Sequence, residues 1–392
     1  MEKFDILVVG MGPAGSSAAL TCAKAGLDVI GIEKRQEIGS PKRCGEGLSK
    51  SALKRMGIKL PDQAICNTIY GARVYAPNKK FLTINFKKPE GWIIERKIFD
   101  KELARMACSA GANVYAKTEL IDVRREGKKV IAKLKNEEGV KEIETKIVIA
   151  CDGIESKVAR ILGIDTTIAL SDIASCVQFE MTGIDIDSKI IQLWFGNKLA
   201  PGGYVWCFPK GPGWANIGIG VRRPWAEKPA LTYLKAFIES QPNLRGSIIE
   251  INSGGVPVGA LLKNMVADNL LIAGDAAHQV NPIHGGGIAE AWLGGKLAAQ
   301  IAVKAVKCEN TKARFLSQYN KLWWAERGKR LEKLLKLRKV VERLTDNDFN
   351  WLAEYLKPSE LIALAEAGGI ANLAKLLMKR PKLIALARKL LI

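Results

Sequence analysis

Histidine is almost missing from this chain of 392 residues, which carries only His278 and His284. No His/Cys/Asp/Glu run has ligand spacing, so no metal site is expected. Cys22, Cys44, Cys66, Cys108, Cys151, Cys176, Cys207 and Cys308 include no CxxC pair, which excludes zinc ribbons and thioredoxin-type dithiols. Long uncharged apolar runs are missing too. The most apolar stretch, Gly286 to Val306, is broken by Glu290, Lys296 and Lys304 and would span a membrane poorly. Met1 leads within three residues into a buried-strand pattern, leaving no room for a signal peptide. A cytoplasmic location is expected, with peripheral contact at the inner face of the cell membrane. Acidic residues are outnumbered, 40 Asp and Glu against 60 Lys and Arg, so the net charge is +20. That excludes an acidic disordered protein and implies an anionic partner: a nucleic acid, a phosphorylated substrate or a lipid surface. Internal repeats and low-complexity segments are also absent.

The residues that are present describe a folded core, with 48% hydrophobic and 26% charged residues. The run Phe4 to Val9, the Ala-rich segment Pro13 to Ala25 and the run Asp28 to Ile32 read as strand, helix and strand, the opening of a parallel sheet covered by helices. Between Asp172 and Gly259 short strands alternate with Gly and Pro punctuation, around one helix from Ala230 to Ser240. Leu270 to Ala273 reads as a strand and a helix begins near Gly287, while from Lys312 the pattern is nearly all helix. The expected fold is α/β: a Rossmann-like dinucleotide-binding domain with an inserted antiparallel β-sheet domain and a helical C-terminal tail. The expected boundaries are 1–170, with a small β excursion near 66–96, then 171–260, 261–307 and 308–392.

Gly10-Met11-Gly12-Pro13-Ala14-Gly15 follows the first strand and opens the first helix. Glycines there allow a tight turn and close backbone approach to a pyrophosphate at the helix N-terminus. Glu33, at the end of the second strand, is placed to accept ribose hydroxyls. A second strand ends at Gly274-Asp275 and runs on through Gly285-Gly286-Gly287-Ile288. An Asp there has no task in a simple nicotinamide domain but can bond the ribityl hydroxyls of a flavin. Asp152-Gly153 ends a third strand, either as part of that site or as a plain turn.

These three motifs, in this order, resemble the para-hydroxybenzoate-hydroxylase-type branch of the glutathione-reductase-like flavoproteins over roughly residues 4 to 305. The resemblance implies FAD, with Gly10, Gly12, Ala14 and Gly15 at the pyrophosphate, Glu33 at the ribose and Asp275 at the ribityl chain. It also implies Arg96 near the cofactor, the Leu120 backbone at the adenine, and Gly287 and Ile288 beneath the isoalloxazine. Pro41-Lys42-Arg43-Cys44-Gly45-Glu46-Gly47 occupies the position where this branch returns a loop over the flavin, so Cys44, Gly45 and Gly47 join the cofactor-binding set. Gly203-Tyr204-Val205-Trp206-Cys207-Phe208-Pro209-Lys210-Gly211 resembles an element of archaeal geranylgeranyl reductases, the digeranylgeranylglycerophospholipid reductases that saturate lipid isoprenoid chains. That resemblance implies an FAD-dependent reductase of prenyl chains, with a ferredoxin, a reduced deazaflavin or NADPH as electron donor. The alternatives are an aromatic hydroxylase or halogenase of the same branch, and a quinone-linked electron-transfer flavoprotein.

Tyr204, Trp206 and Phe208, at period two, either wall an apolar substrate tunnel or form an ordinary buried strand face. Cys44 is a candidate proton donor, because the adjacent Lys42 and Arg43 would favour its thiolate; the competing reading is a packed structural cysteine. The two histidines either serve as acid and base or hold their loop by hydrogen bonds. From Lys312 onwards 18 Lys and Arg face 8 Asp and Glu, supplying +10 of the net charge among Trp323, Trp324, Trp351 and Tyr355. Such helices suit an anionic lipid interface or present a solvated basic face over ordinary packing. No nucleic-acid-binding motif accompanies the charge, so nucleic acid is not an expected partner.

Overall fold

The computed structural model describes residues 1–365 and 367–391. The chain begins with β1 (Glu2–Val9), α1 (Pro13–Lys24), β2 (Val29–Ile32), β3 (Gly47–Ser49) and α2 (Lys50–Met56). It continues through β4 (Ile65–Ile69), β5 (Gly71–Tyr75), β6 (Phe81–Asn85), β7 (Gly91–Ile94) and α3 (Arg96–Ser109). Next come β8 (Asn113–Tyr115), β9 (Glu119–Glu126), β10 (Lys129–Asn136), β11 (Gly139–Ala150) and α4 (Lys157–Ile161). The middle of the chain holds β12 (Ile173–Thr182), β13 (Ile190–Trp194), β14 (Tyr204–Gly211), β15 (Trp214–Arg222), α5 (Ala230–Glu239) and β16 (Ser247–Pro257). Two short strands, β17 (Val266–Ala267) and β18 (Leu270–Ile272), return to the first sheet before α6 (Ile288–Lys307). The tail comprises α7 (Ala313–Leu316), α8 (Gln318–Trp323), α9 (Lys329–Val341), α10 (Asp346–Tyr355), α11 (Pro358–Ala365), α12 (Ile370–Leu377) and α13 (Ile384–Leu391).

The first sheet runs β17-β18-β11-β1-β2-β8, and β9 and β10 form a meander on β11. β18, β11, β1, β2 and β8 are parallel. Their residues are buried on both faces, as at Ile6 to Val8 and Ile147 to Ala150, which is why these strands read as continuous apolar runs rather than alternations. The second sheet runs β16-β12-β15-β14-β13-β5-β6. It is not wholly antiparallel as expected, because β13 pairs with β5 in parallel register, Ile190 opposite Gly71. The excursion near 66–96 thus supplies two strands to the second sheet, and its other strands, β4 and β7, form a small sheet with β3 in the order β3-β7-β4. Helix α5 covers the second sheet by burying Leu234 and Phe237 against Val205, Ile217 and Ile219.

The tail is part of the core. Tyr319, Trp323, Leu331, Leu334, Leu337, Leu373 and Leu377 are buried in the same cluster as the first sheet, so most of its apolar spacing reflects packing. Arg222 of β15 reaches Glu342 beyond α9 at 2.8 Å, joining the tail to the second sheet as well. Among the described residues no helix is long and apolar enough to cross a membrane. Removing residues 312–392 should therefore leave an insoluble or loosely packed protein. Near-UV circular dichroism and gel filtration check this, and a truncated chain with native near-UV signal would show the tail to be a detachable appendage.

Candidate active site

The first motif is shaped by close approach. Gly10 turns the chain at φ +92°, and a Cβ there would lie 2.4 Å from the Cys151 carbonyl oxygen. A Cβ at Gly15 would lie 1.8 Å from the Gly10 carbonyl oxygen, so only hydrogen fits at both positions. At Gly12, by contrast, no atom lies within 4 Å of the Cβ direction, and the turn offers bare backbone to a ligand. The amides of Ala14 and Gly15 have no acceptor among the described residues, and the first turn of α1 carries no acidic residue. Open amides at a helix N-terminus suit phosphate oxygens. Glu33 stands beside this turn, accepting from the amides of Met11 and Arg35, each at 3.1 Å. Thr118 donates to the Glu33 carbonyl at 2.8 Å, which brings the start of β9, with Leu120, alongside.

The second motif closes on the first. A Cβ at Gly295 of α6 would meet the Ala14 carbonyl oxygen at 2.0 Å, so α6 presses directly on α1. Asp275 lies beside the α6 N-terminus, its Oδ1 3.3 Å from where a Gly287 Cβ would be. No donor bonds its carboxylate, and the Gly287 and Ile288 amides lack an acceptor, among the described residues. Burial pushes the Asp275 carboxyl up to about 6, partly offset by Arg96. Asp152 behaves as a turn residue: its Oδ2 accepts from the Val158 amide at 3.0 Å, and the preceding Cys151 backs Gly10.

Arg96 links these parts. Its guanidinium forks onto Asp100 at 2.9 and 2.7 Å, and it also engages the Cys44 thiol. Burial opposes its charge, but Asp100 and Cys44 outweigh that and raise its pKa. Cys44, Arg96 and Asp275 therefore share one locale. The expectation that Lys42 and Arg43 would favour the Cys44 thiolate is corrected by the structure. Lys42 is buried, bonded to Glu180, and 3.4 and 3.3 Å from Glu46 and Glu250, while Arg43 is exposed and nearest Glu155 at 4.0 Å. Buried carboxylates demand a counter-cation, and Lys42 is drawn to them. The cation at the thiol is Arg96, and Cys44 Sγ also accepts from the Glu46 amide at 3.2 Å.

That carboxylate cluster escaped the sequence reading as an ensemble. Lys210 Nζ contacts Glu95, Glu46 and Glu180 at 2.8, 3.2 and 3.2 Å. Asn216 donates to Glu46 at 2.7 Å, and the Arg96 amide does so at 2.8 Å. Burial would raise the Glu180 carboxyl, but Lys42 and Lys210 outweigh it and hold it low. Glu46 itself takes φ +71°, a left-handed turn held by these partners. The available signal was that Lys210 stands among otherwise apolar or aromatic residues in Gly203–Gly211, and that Lys42 and Glu46 lie four residues apart in one loop.

The aromatic strand resolves into two faces. Val205 and Cys207 point into the core beneath α5. Tyr204, Trp206 and Phe208 point the other way, with ring centroids 5.9 and 6.4 Å apart. Gly218 of β15 lies opposite Trp206, and a Cβ there would strike the indole at 2.3 Å. The Cys44 loop packs on this face: Cβ atoms at Gly45 and Gly47 would meet the Phe208 ring at 2.9 and 3.3 Å. Trp206 Nε1 donates to Gln178 at 2.8 Å, whose amide reaches the Cys44 carbonyl at 3.2 Å. The rings are thus not the core of their own sheet; they face the Cys44 loop.

Comparison with known proteins now decides the family. A family model described as geranylgeranyl reductase catalytic domain matches residues 172–256, and an FAD binding domain model matches residues 5–87. The digeranylgeranylglycerophospholipid reductase 2 of Methanopyrus kandleri is 37% identical, over 99% of this chain and 100% of that protein. The digeranylgeranylglycerophospholipid reductase of Methanosarcina acetivorans is 42% identical over 91% of this chain and 89% of its own. The chain belongs to the geranylgeranyl reductase family. A crystal structure of a geranylgeranyl bacteriochlorophyll reductase-like protein from Thermoplasma acidophilum superposes with a TM-score of 0.92 at 35% identity, covering all of both chains. The flavin-dependent brominase Bmp2, at 19–20% identity and TM-scores of 0.71–0.74, shares the fold alone.

The cofactor of this geranylgeranyl reductase family member is FAD, and the residues present fit it: open amides at two helix N-termini, a bare turn at Gly12 and an unsatisfied Asp275. His278 is buried, its Nε2 3.3 Å from the Thr166 carbonyl, and burial lowers its pKa. His284 accepts from the Gly286 amide at 3.1 Å. Both bond within or beside their loop. A cavity of about 660 Å³ lies elsewhere, against α1, α3 and α6, and none of the site residues lines it. Asp275→Ala should weaken FAD roughly tenfold to a hundredfold, the loss of a charge-assisted hydrogen bond worth ~1.5–3 kcal/mol. Because the ionised carboxylate is the better acceptor, wild-type affinity should fall as pH drops through about 6, and Asp275→Asn should flatten that step. Flavin-fluorescence titration of the apoprotein checks both, and a pH-independent wild type would remove Asp275 from the ribityl assignment.

Proposed function

We propose that this protein saturates the double bonds of geranylgeranyl chains on archaeal-type glycerophospholipid precursors, as an FAD-dependent oxidoreductase. The observation that carries this reading is the Tyr204–Trp206–Phe208 wall meeting the Cys44 loop, with the Arg96 charge acting on both Cys44 and Asp275. Gly10, Gly12, Ala14 and Gly15 would hold the pyrophosphate, Glu33 and the Leu120 backbone the adenosine, and Asp275, Arg96, Gly45, Gly47, Gly287 and Ile288 the flavin end. Held there and reduced by a ferredoxin, a deazaflavin or NADPH, the flavin would be the source of hydride for one alkene carbon. An isolated alkene has no electron-withdrawing group, so a proton must reach the other carbon with or before the hydride. Cys44 Sγ is the candidate donor: the thiol gives up its proton, Arg96 stabilises the resulting thiolate, and solvent restores the proton. The aromatic wall orients the chain and excludes water.

The protein, reduced anaerobically and mixed with an unsaturated prenyl phospholipid, should yield a product two mass units heavier for each bond saturated. Oxygen consumption with product hydroxylation would favour the aromatic hydroxylase reading instead. In the same assay Cys44→Ser should retain FAD but slow alkene-dependent flavin reoxidation at least about tenfold, ~1.4 kcal/mol on the barrier. Unchanged single-turnover kinetics would make Cys44 a packing residue.

Peripheral membrane contact belongs to the same proposal. Helix α11 buries none of its described residues, and Ile362 and Tyr355 are exposed beside Lys357. Anionic vesicles should bind the protein more tightly than neutral ones, and salt should weaken that binding. Equal partition at low salt would leave the basic face merely solvated.

A further inference from the structure

Arg55 is the penultimate residue of α2, and its side chain is only 29% exposed. It donates no hydrogen bond among the described residues, and its nearest carboxylate oxygen, Glu290 Oε1, stands at 3.9 Å, beyond hydrogen-bond reach. Glu290 is already committed. Arg327 grips it through two bonds, one of 2.8 Å from Nε and a second to Oε1. One buried carboxylate therefore serves two guanidinium groups. Burial lowers the Arg55 pKa and repulsion from Arg327 lowers it further, with Glu290 only partly compensating. Arg330, three residues beyond Arg327, adds its own positive field.

Arg327 is aimed by an unusual piece of backbone. Trp324–Gly328 forms a π-helical turn, and a Cβ at Gly328 would strike the Trp324 ring at 2.6 Å. Such turns recur at functional sites. The position is equally informative. His284 lies within electrostatic reach of both Glu290 and Arg55, and its carbonyl accepts from the Tyr204 hydroxyl at 2.7 Å. The guanidinium pair thus stands near the Tyr204 end of the aromatic wall.

A partly buried guanidinium short of an acceptor is relieved by an anion, and the planar fork matches phosphate oxygens. We infer that Arg55, with the Glu290-bound Arg327 adding positive charge behind it, forms the phosphate subsite for a prenylated phospholipid whose chain lies along Tyr204, Trp206 and Phe208. The inference rests on the reductase reading above. It explains how an apolar wall without register could admit a lipid with its charged end fixed and its double bonds presented in a set order.

The test compares a geranylgeranylated glycerophosphate lipid with geranylgeraniol, which lacks the phosphate, on the reduced holoprotein. Arg55→Gln should lower kcat/KM for the phosphorylated lipid at least about tenfold more than for the alcohol, and Arg55→Lys should recover part of the loss. Equal losses on both substrates, or none on either, would overturn the subsite. Competition by inorganic phosphate in the wild type, lost in Arg55→Gln, identifies the anion itself as the ligand. Discrimination without that competition identifies the esterified headgroup. A wild-type protein that saturates neither compound would refute the reductase reading separately. Binding then decides the subsite: Arg55→Gln must weaken retention of the phosphorylated lipid more than of the alcohol, and equal retention would refute it.

Discussion

The buried ionic cluster of Lys42 and Lys210 with Glu46, Glu95 and Glu180 is the constraint on which the site depends. Its members come from the Cys44 loop, the start of α3, β12 and β14, so satisfying the charges brings those four segments to one point. Truncating one partner of such a pair typically costs ~3–5 kcal/mol, because the other is left buried and alone, whereas apolar replacement of a whole cluster is often neutral. The cluster's contribution is therefore to placement more than to stability. It holds Glu46 in a left-handed turn whose amide points at Cys44 Sγ, and it commits Lys42, leaving Arg96 as the cation at the thiol.

A second constraint is steric. Gly15 against Gly10, Gly295 against Ala14, and Gly45 against Phe208 are contacts in which a methyl group would overlap its neighbour. The first tightens the turn from β1 into α1, and the second packs α6 against the N-terminus of α1. The third lays the Cys44 loop on the aromatic strand. Hydrogen-only contacts thus set the geometry of the nucleotide end, and buried charge sets that of the substrate end.

Much of this architecture is legible without coordinates. The run of short strands expected between Asp172 and Gly259 is β12 to β16, and the helix expected from Ala230 to Ser240 is α5, within one residue, because alternation and Gly/Pro punctuation are local signals. The β excursion was harder to read. Gly71–Tyr75 pairs with β13 across more than a hundred residues, carrying Phe81–Asn85 with it, and no local pattern announces a partner that distant. The direction of Lys42 was misjudged for a related reason. Sequence adjacency placed it beside Cys44, whereas the carboxylates that claim it lie on β12 and β16.

The sequence by itself determined the parallel sheet, the glycine turn with Glu33, the Gly274-Asp275 strand end and the family, because each is carried by residue types at fixed short spacing. Only the tertiary structure decided which face of β14 is core and which lines the cleft, since period-two alternation looks the same from either side. It alone assigned a cation to Cys44, and it alone brought Arg55 of α2 and Arg327 of the tail to the same carboxylate. Electrostatic pairing acts through space over a few ångströms, and positions 55, 290 and 327 become neighbours only once the helices have packed.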